Sequence, residues 1–243
     1  MNYQTNALLK LRERTGFEAC DAGILIWQKN FAAMSFVFLI LLVVVAAVFL
    51  NLPFKNNILV YCGFIWFLKP VFDRFALQII QVRFFKKEIR GRSLFKGFPK
   101  LFFTALPGDL LWRRFSAFRS VIMPLRLLEN LKGKKLKARK ASLENGEIKF
   151  GGFLTVFCVA AECFIFAGEI TFITLLSGIF KLPYFFSITG DFSTLLFLIF
   201  YSINFIIIET LYVCAGFSIY INSRVIVEGW HLQLLLDGEA EKK

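Results

Sequence analysis

Residues 32–50 read AAMSFVFLILLVVVAAVFL, and this run contains no charged residue. A helix needs about 20 predominantly apolar residues to cross the hydrocarbon core of a bilayer. Apolar residues make up 57% of the 243-residue chain, whereas a soluble domain averages about 45–50%. The excess lies in long blocks separated by basic segments. This pattern predicts an all-α, polytopic membrane helical bundle.

Four apolar blocks predict four spans, at about residues 31–52, 58–82, 150–180 and 192–221. The last two are too short for a helical hairpin, which needs about 40 residues. We therefore expect each to form one long helix that is tilted or projects from the bilayer. The alternative is a break near Glu169 or Glu209, which would give half-helices and raise the number of spans to six.

The positive charge is concentrated in one segment of the chain. The net charge is +12, and 18 of the 29 Lys and Arg residues lie between Arg83 and Lys149. The loops after the first and third predicted spans hold only Lys55 and Lys181. Because Lys and Arg accumulate on the cytoplasmic side, segment 83–149 and both termini are predicted to be cytoplasmic. Anionic lipid headgroups are the predicted partner. Nucleic acid is not, since no zinc pattern or aromatic-basic RNA motif is present.

Glu18, Cys20 and Asp21 could suggest a catalytic site in residues 12–31. A cysteine nucleophile needs a base, however, and the one histidine, His231, lies far along the chain. Thr15 and Glu18 instead form a capping box, followed by apolar residues at helical spacing: Phe17, Cys20, Ile24 and Trp27. We therefore predict that residues 1–30 form a cytoplasmic amphipathic helix suited to the membrane surface, which leads into spans one and two in 31–82.

Segment 83–149 is too apolar for a solvated linker and too charged for a span. It predicts two interfacial helices divided by LPGD (106–109) that lie on the inner leaflet or under the bundle. Their arginines are expected to reach lipid phosphates while their stems cover apolar surface: Arg113, Arg114, Arg119 and Arg126. KGKKLKARK (132–140) then forms a cationic run. Two interpretations of this run remain open: a solvated loop that only fixes topology, and a site that binds lipid or a partner.

The last two spans occupy 150–222, and residues 223–243 are predicted to form a cytoplasmic helix and a polar tail. Arg224 is expected at the level of the lipid phosphates and Trp230 as an interfacial anchor. The apolar residues of this helix are Val225, Val227, Trp230, Leu232 and Leu235. Arg224 and Glu228 are spaced for a local ion pair. The sharper alternative is that this segment docks onto the N-terminal helix or a partner.

Three charged residues fall at one predicted depth in the bilayer. Lys69 lies 14 residues before Arg83, Glu162 lies 13 residues after Lys149, and Glu209 lies 15 residues before Arg224. At about 1.5 Å per helical residue, each is about 20 Å from the inner surface. We predict that Lys69 pairs with Glu162, Glu209 or both, since an unpaired charge in a span is costly. The cluster could be a structural clasp, or an ion, proton or substrate path. Asp73 and Arg74, nearer the cytoplasm, are expected to reach water.

No enzyme motif is found in the sequence: it lacks GxSxG, HExxH, the P-loop and the dinucleotide fingerprint. Its five cysteines form no CxxC pair. We therefore expect no catalytic residues, no cofactor, no metal site and no disulfide framework.

Three segments carry a resemblance to a known family: RERTGFEACDAGILIWQKNF (12–31), RRFSAFRSVIMPLRLLENLKG (113–133) and GFSIYINSRVIVEGWHLQLLL (216–236). They are similar to an uncharacterised bacterial family of multi-pass membrane proteins that is related to the membrane domain of glycerophosphodiester phosphodiesterases. The phosphodiesterase barrel is absent, and His231 stands where members usually carry Asp. The resemblance implies a bacterial inner-membrane location. Because some relatives are encoded beside transglutaminase-like membrane proteins and chaperone-type ATPases, it also implies an accessory or assembly role.

The functional expectation is a non-enzymatic scaffold or assembly factor that binds lipid or partner proteins through its basic cytoplasmic face, with protein partners or a homo-oligomer. The alternative is a small transporter or channel-like protein that uses Lys69, Glu162 and Glu209.

Overall fold

The computed structural model describes residues 12–51, 58–84, 106–111, 113–144, 147–179 and 191–229. These residues are mostly helical and contain no strand, which confirms the all-α prediction. The helices are α1 (Gly16–Leu50), α2 (Ile58–Phe84), α3 (Leu106–Leu111), α4 (Arg119–Leu127), α5 (Gly133–Leu143), α6 (Phe150–Ile179) and α7 (Asp191–Glu228), with 3₁₀ turns at Arg113–Phe115 and Glu147–Lys149.

Three of the described helices are long and apolar enough to cross a membrane, over Gly16–Phe49, Glu147–Phe172 and Phe197–Glu228. Helix α2 has 27 residues and is about 40 Å long, but it carries three charged residues in its middle: Lys69, Asp73 and Arg74. Helices α6 and α7 run unbroken through Glu169 and Glu209, so the breaks of the six-span alternative are absent at both positions.

Helix α7 is the centre of the bundle and packs against α1, α6, α2 and α4. Its buried aromatic residues are Tyr201, Phe205, Tyr212, Phe217 and Tyr220. Helix α6, in contrast, rests mainly on α7, and large apolar side chains on its other side are exposed: Phe153, Val156, Phe157 and Phe164. A contiguous apolar face of this kind is typical of a surface that contacts lipid or protein.

Small residues let α1 and α7 approach closely. Ala19 and Gly23 are buried against α7, and a Cβ atom built on Gly23 would lie 2.5 Å from the Cα of Ala215. Further along, Trp27 Nε1 donates a hydrogen bond to Thr210 Oγ1 at 2.8 Å. The Thr15 half of the predicted capping box is confirmed, since Thr15 Oγ1 accepts from Glu18 N. The Glu18 carboxylate lies instead 3.5 Å from Arg12 Nη2. The apolar stripe predicted from spacing is not the buried face, because Phe17 and Ile24 on it are exposed.

Helix α1 begins at the end of the bundle where α7 finishes. Arg14 N donates to Asn222 Oδ1 at 2.9 Å, and Asn222 Nδ2 donates to the Arg14 carbonyl oxygen at 2.7 Å. Near the end of α2, Arg83 Nη1 donates to Asn30 Oδ1 at 3.0 Å. The described end of α2 therefore lies beside residue 30. Residues 16–30 of the segment predicted as a surface helix are the first turns of one continuous helix, and residues 1–11 of that segment lie outside the described residues.

The middle segment is helical where a dividing turn and a cationic run were predicted. LPGD forms the first four residues of α3, and the run KGKKLKARK lies almost entirely within α5. The interfacial helix predicted before LPGD lies outside the described residues. Helix α4 packs against α7, and a Cβ atom built on Gly216 would overlap the Ser120 Cβ atom. At the other end of the chain, α7 continues through the predicted span end at Ile221 to Glu228, and Gly229 follows with φ of 58°.

Candidate functional site

The predicted pairing of Lys69 with both glutamates is present in the structure. Lys69 Nζ lies 2.6 Å from Glu162 Oε2 and 3.1 Å from Glu209 Oε2. The ammonium also lies 5.6 Å from the ring centroid of Phe205, a cation–π distance. Asn204 Nδ2 donates to the Glu162 carbonyl oxygen at 3.3 Å. Helices α2, α6 and α7 are therefore joined at one level by a single buried cation.

Arg119 brings a second cation to this level from the middle segment. Its Nη2 atom lies 2.5 Å from Glu209 Oε1 and 3.2 Å from Asp73 Oδ2. Glu209 thus receives Lys69 on one carboxylate oxygen and Arg119 on the other. Asp73 is fully buried and belongs to the network, which corrects the expectation that it reaches water. Its position four residues after Lys69 puts it on the same face of α2.

Neighbouring side chains hold Arg119 in place. The guanidinium lies 5.3 Å from the ring centroid of Tyr212, and the Tyr212 hydroxyl accepts from Ser120 N at 3.2 Å. Thr155 Oγ1 lies 2.9 Å from that hydroxyl and donates to the Ala117 carbonyl oxygen at 2.5 Å. Burial alone would lower the pKa of Arg119, but the charges of Asp73 and Glu209 outweigh it and raise the pKa. Arg119 therefore stays charged.

A second network surrounds Asp109 of α3. Arg74 Nη2 of α2 lies 2.5 Å from Asp109 Oδ2, and Arg126 Nη1 of α4 contacts Asp109 Oδ1. Arg113 Nη1 is 3.6 Å from the same oxygen and is about half exposed. Burial lowers the pKa of Arg126, and the nearby Asp109 carboxylate opposes that effect. Arg74 is buried rather than in contact with water, which corrects its predicted position.

The two networks together are electrically balanced. They hold four buried or nearly buried cations, Lys69, Arg74, Arg119 and Arg126, against four carboxylates, Asp73, Asp109, Glu162 and Glu209. Removing a charge from water costs several kcal/mol unless a partner compensates it. Balance is therefore the condition for these groups to lie inside the bundle, and it ties α2, α3, α4, α6 and α7 into one unit.

A groove of about 500 Å³ opens above the first network. Helix α2 contributes Trp66 to one wall, and α6 contributes residues from Thr155 to Phe166 to the other. The floor is formed by α7, including Tyr201 and Tyr212, and residues 115–117 with Arg119 close one end. The Lys69, Glu162, Glu209 and Arg119 side chains line it, so the groove joins an apolar entrance to a charged floor.

A third cluster fixes α5 to the end of α7. Arg139 Nε lies 2.7 Å from Glu129 Oε2, and Arg139 Nη2 contacts Glu228. The hydrogen bond from Arg139 to Glu129 raises the pKa of Arg139, although partial burial opposes the shift. On the same side of α5, Lys140 Nζ lies 4.7 Å from the Phe118 ring centroid. The opposite side presents Lys134, Lys135 and Lys137, which are exposed.

Two of the arginines predicted to contact lipid phosphates lie elsewhere. Arg119 and Arg126 point into the bundle because buried carboxylates, invisible as partners in the sequence, compensate their charge. Arg113 is half exposed. Arg224 forms the predicted ion pair with Glu228 at 2.9 Å and contacts Tyr220. The Arg114 side chain and Trp230, with Leu232 and Leu235, lie outside the described residues.

Comparison of the chain with family models, with curated proteins and with solved structures gives no match.

Proposed function

We propose that the protein is a multi-pass integral protein of the bacterial inner membrane, in which α1, α2, α6 and α7 are the four spans. In this proposal both termini and segment 83–149 are on the cytoplasmic side, and α4 of that segment packs against α6 and α7, so that Arg119 reaches Glu209 inside the bundle. The protein acts without catalysis as a scaffold or assembly factor, in line with the accessory role that the family resemblance implies. Its basic face binds anionic lipid headgroups or a partner protein.

The outward face of α6 supports the membrane placement. Phe153, Val156, Phe157 and Phe164 are more than half exposed, and burying such side chains is favourable by about 1.5–3 kcal/mol each. Lipid tails would cover this face, and α1 is apolar enough to span as well. In α2, the partners of Lys69, Asp73 and Arg74 remove the cost of their charges.

The scaffold proposal rests on helix α5, which is docked on the bundle along one side and exposes lysines along the other. Arg139 and Lys140 hold one side against Glu129, Glu228 and Phe118. Lys134, Lys135 and Lys137 are then left facing outward on a helix anchored to the bundle. A solvated loop that only set topology would need no such anchoring. A fixed row of ammonium groups suits a negatively charged surface.

The test replaces Lys134, Lys135 and Lys137 together by Gln in the full chain, purified in mild detergent. Bound anionic phospholipid and co-purifying proteins are then quantified by mass spectrometry. We expect the triple Gln variant to bind at least tenfold less of one or the other. This difference from wild type should shrink at higher salt, because salt screens the exposed lysines of the wild type. The matched control replaces the same three residues by Arg, which keeps the charge and should keep the binding. Equal retention by wild type and the Gln variant contradicts the proposal.

The groove favours a second candidate, a transporter that uses the charged floor. Glu162 and Arg119 lie both in the ion-pair network and along the groove, so a polar solute could reach them. Reconstituted liposomes distinguish the two functions. A transporter gives flux that is lost in Glu162→Gln, whereas a scaffold gives no flux with either protein.

A further inference from the structure

The groove combines an apolar entrance with a charged end, and this combination suits an amphiphile. Trp66 and Phe115 stand at the entrance with their ring centroids 6.3 Å apart, and both are substantially exposed. Val159 and Cys163 of α6, also exposed, continue the wall. If α2, α6 and α7 span the membrane as proposed, this entrance faces the acyl chains, and a molecule would enter it sideways from the bilayer.

One carboxylate and one cation of the first network are more exposed to the groove than the others. The side chains of Glu162 and Arg119 are 16% and 15% exposed, against 8% for Lys69 and 3% for Glu209. Lys69 occupies only Oε2 of Glu162, and within the described part of the chain no other side chain binds that carboxylate. A ligand in the groove therefore meets a carboxylate with a free oxygen and a guanidinium on the same floor.

The charge balance restricts the ligand further. The network at the groove holds two cations, Lys69 and Arg119, against three carboxylates. A ligand with net negative charge would therefore add an uncompensated charge, at a cost of several kcal/mol. A zwitterion leaves the sum unchanged. Its cation can pair with Glu162 and its anion with Arg119, whose planar guanidinium suits phosphate geometry. The observed contact of the Lys69 ammonium with Glu162 at 2.6 Å is of the same kind that a primary ammonium ligand would make.

We propose that the groove binds one molecule of phosphatidylethanolamine. The ammonium of the headgroup donates a hydrogen bond to Glu162, the phosphate pairs with Arg119, and the acyl chains lie against the exposed rings of Trp66 and Phe115 and the apolar face of α6. This site is separate from the basic face of α5, which attracts anionic headgroups from the surface.

The experiment uses the full chain in mild detergent, supplied with equal amounts of phosphatidylethanolamine, phosphatidylcholine and phosphatidylglycerol that carry the same acyl chains. Native mass spectrometry counts the lipid retained after partial delipidation at high salt, which screens the exposed lysines of α5 and releases anionic lipid from that face. We expect one phosphatidylethanolamine per chain, retained at least tenfold more than phosphatidylglycerol. Phosphatidylcholine is expected to bind less than phosphatidylethanolamine, because its quaternary ammonium has no N–H to donate to Glu162.

Two variants locate the lipid. Cys163→Trp fills the groove without touching an ion pair and should abolish phosphatidylethanolamine retention. Ala160→Trp, the matched control, adds the same side chain at an exposed α6 position that does not line the groove and should leave retention unchanged. Glu162→Gln should reduce retention of phosphatidylethanolamine at least fivefold without changing that of phosphatidylglycerol.

Equal retention of the three lipids, a preference for phosphatidylcholine or phosphatidylglycerol, or equal behaviour of Cys163→Trp and Ala160→Trp overturns the groove site. Failure of the scaffold proposal has a different signature. In that case the Gln substitutions on α5 change neither bound anionic lipid nor co-purifying proteins, while the preference for phosphatidylethanolamine in the groove is untouched.

Discussion

Lys69 is the residue whose removal should harm the bundle most. Its ammonium is buried and compensates two carboxylates from two different helices, Glu162 and Glu209. Replacing it by an apolar side chain leaves those carboxylates with too little positive charge around them, and breaking a buried pair in this way costs about 3–5 kcal/mol.

We therefore expect Lys69→Met to lower the thermal unfolding midpoint in detergent by several degrees or more. Adding Glu162→Gln to this variant should restore part of the loss, because it removes the charge left without its partner. The control is Lys149→Met at an exposed position, which should change the midpoint little. An unchanged midpoint in Lys69→Met, or a double variant that is less stable than the single one, would show that the pair does not stabilise the bundle.

At the scale of single residues, counting along helices was enough to predict the Lys69 pairing. The position of each charged residue was counted from a basic residue at the predicted cytoplasmic end of its helix, and a helix rises by a known distance per residue. Similar numbers of residues therefore meant similar depths in the bilayer. The same reasoning could have included Asp73, one turn from Lys69. It could not have found Arg119, because that side chain reaches Glu209 from a short helix whose position depends on packing between α4 and α7.

At the level of the helices, α1 and α7 approach each other closely because small residues, and not large side chains, lie where they meet. Helices in membranes gain little from hydrophobic burial against each other, so close approach at small residues supplies the packing. Gly23 allows that approach, because a Cβ at this position would lie 2.5 Å from the Ala215 Cα atom.

Gly23→Ala should therefore separate α1 from α7 and lower the unfolding midpoint, even though alanine is the better helix former by about 1 kcal/mol. Gly63→Ala is the matched control: it is the same change inside α2, with nothing within 4 Å of the added Cβ atom. It should be neutral or slightly stabilising. If both variants shift the midpoint alike, close packing of α1 on α7 is not what holds these helices together.

The long helices were predictable and the short ones were not. The predicted third span, 150–180, matches α6 at Phe150–Ile179 because charged or polar residues flank a single apolar run. LPGD suggested a turn, yet proline is well accommodated in the first turn of a helix, where its missing N–H costs nothing. The lysines of KGKKLKARK suggested solvent, yet lysine is a good helix former, and Arg139 docks the resulting helix on Glu129 and Glu228.

At the scale of the whole molecule, two kinds of surface meet in one bundle. One side of α6 is apolar and unpaired, whereas the end formed by α5 and the last turns of α7 is charged and cross-linked by ion pairs. The buried networks lie between them and join helices that are far apart in sequence. The all-α fold was predictable from the long apolar blocks of the sequence, but the partners of the middle segment required the tertiary structure.

The orientation of this bundle in the membrane is the claim on which the functional proposals depend. A membrane-impermeant maleimide applied to intact bacteria tests it directly, with single cysteines introduced at Asn51 after α1, at Glu13 before it and at Lys135 on α5, all exposed positions. We predict that Asn51→Cys is labelled in intact cells and that Glu13→Cys and Lys135→Cys are labelled only after the membrane is permeabilised. Labelling of Glu13→Cys or Lys135→Cys in intact cells would contradict the account.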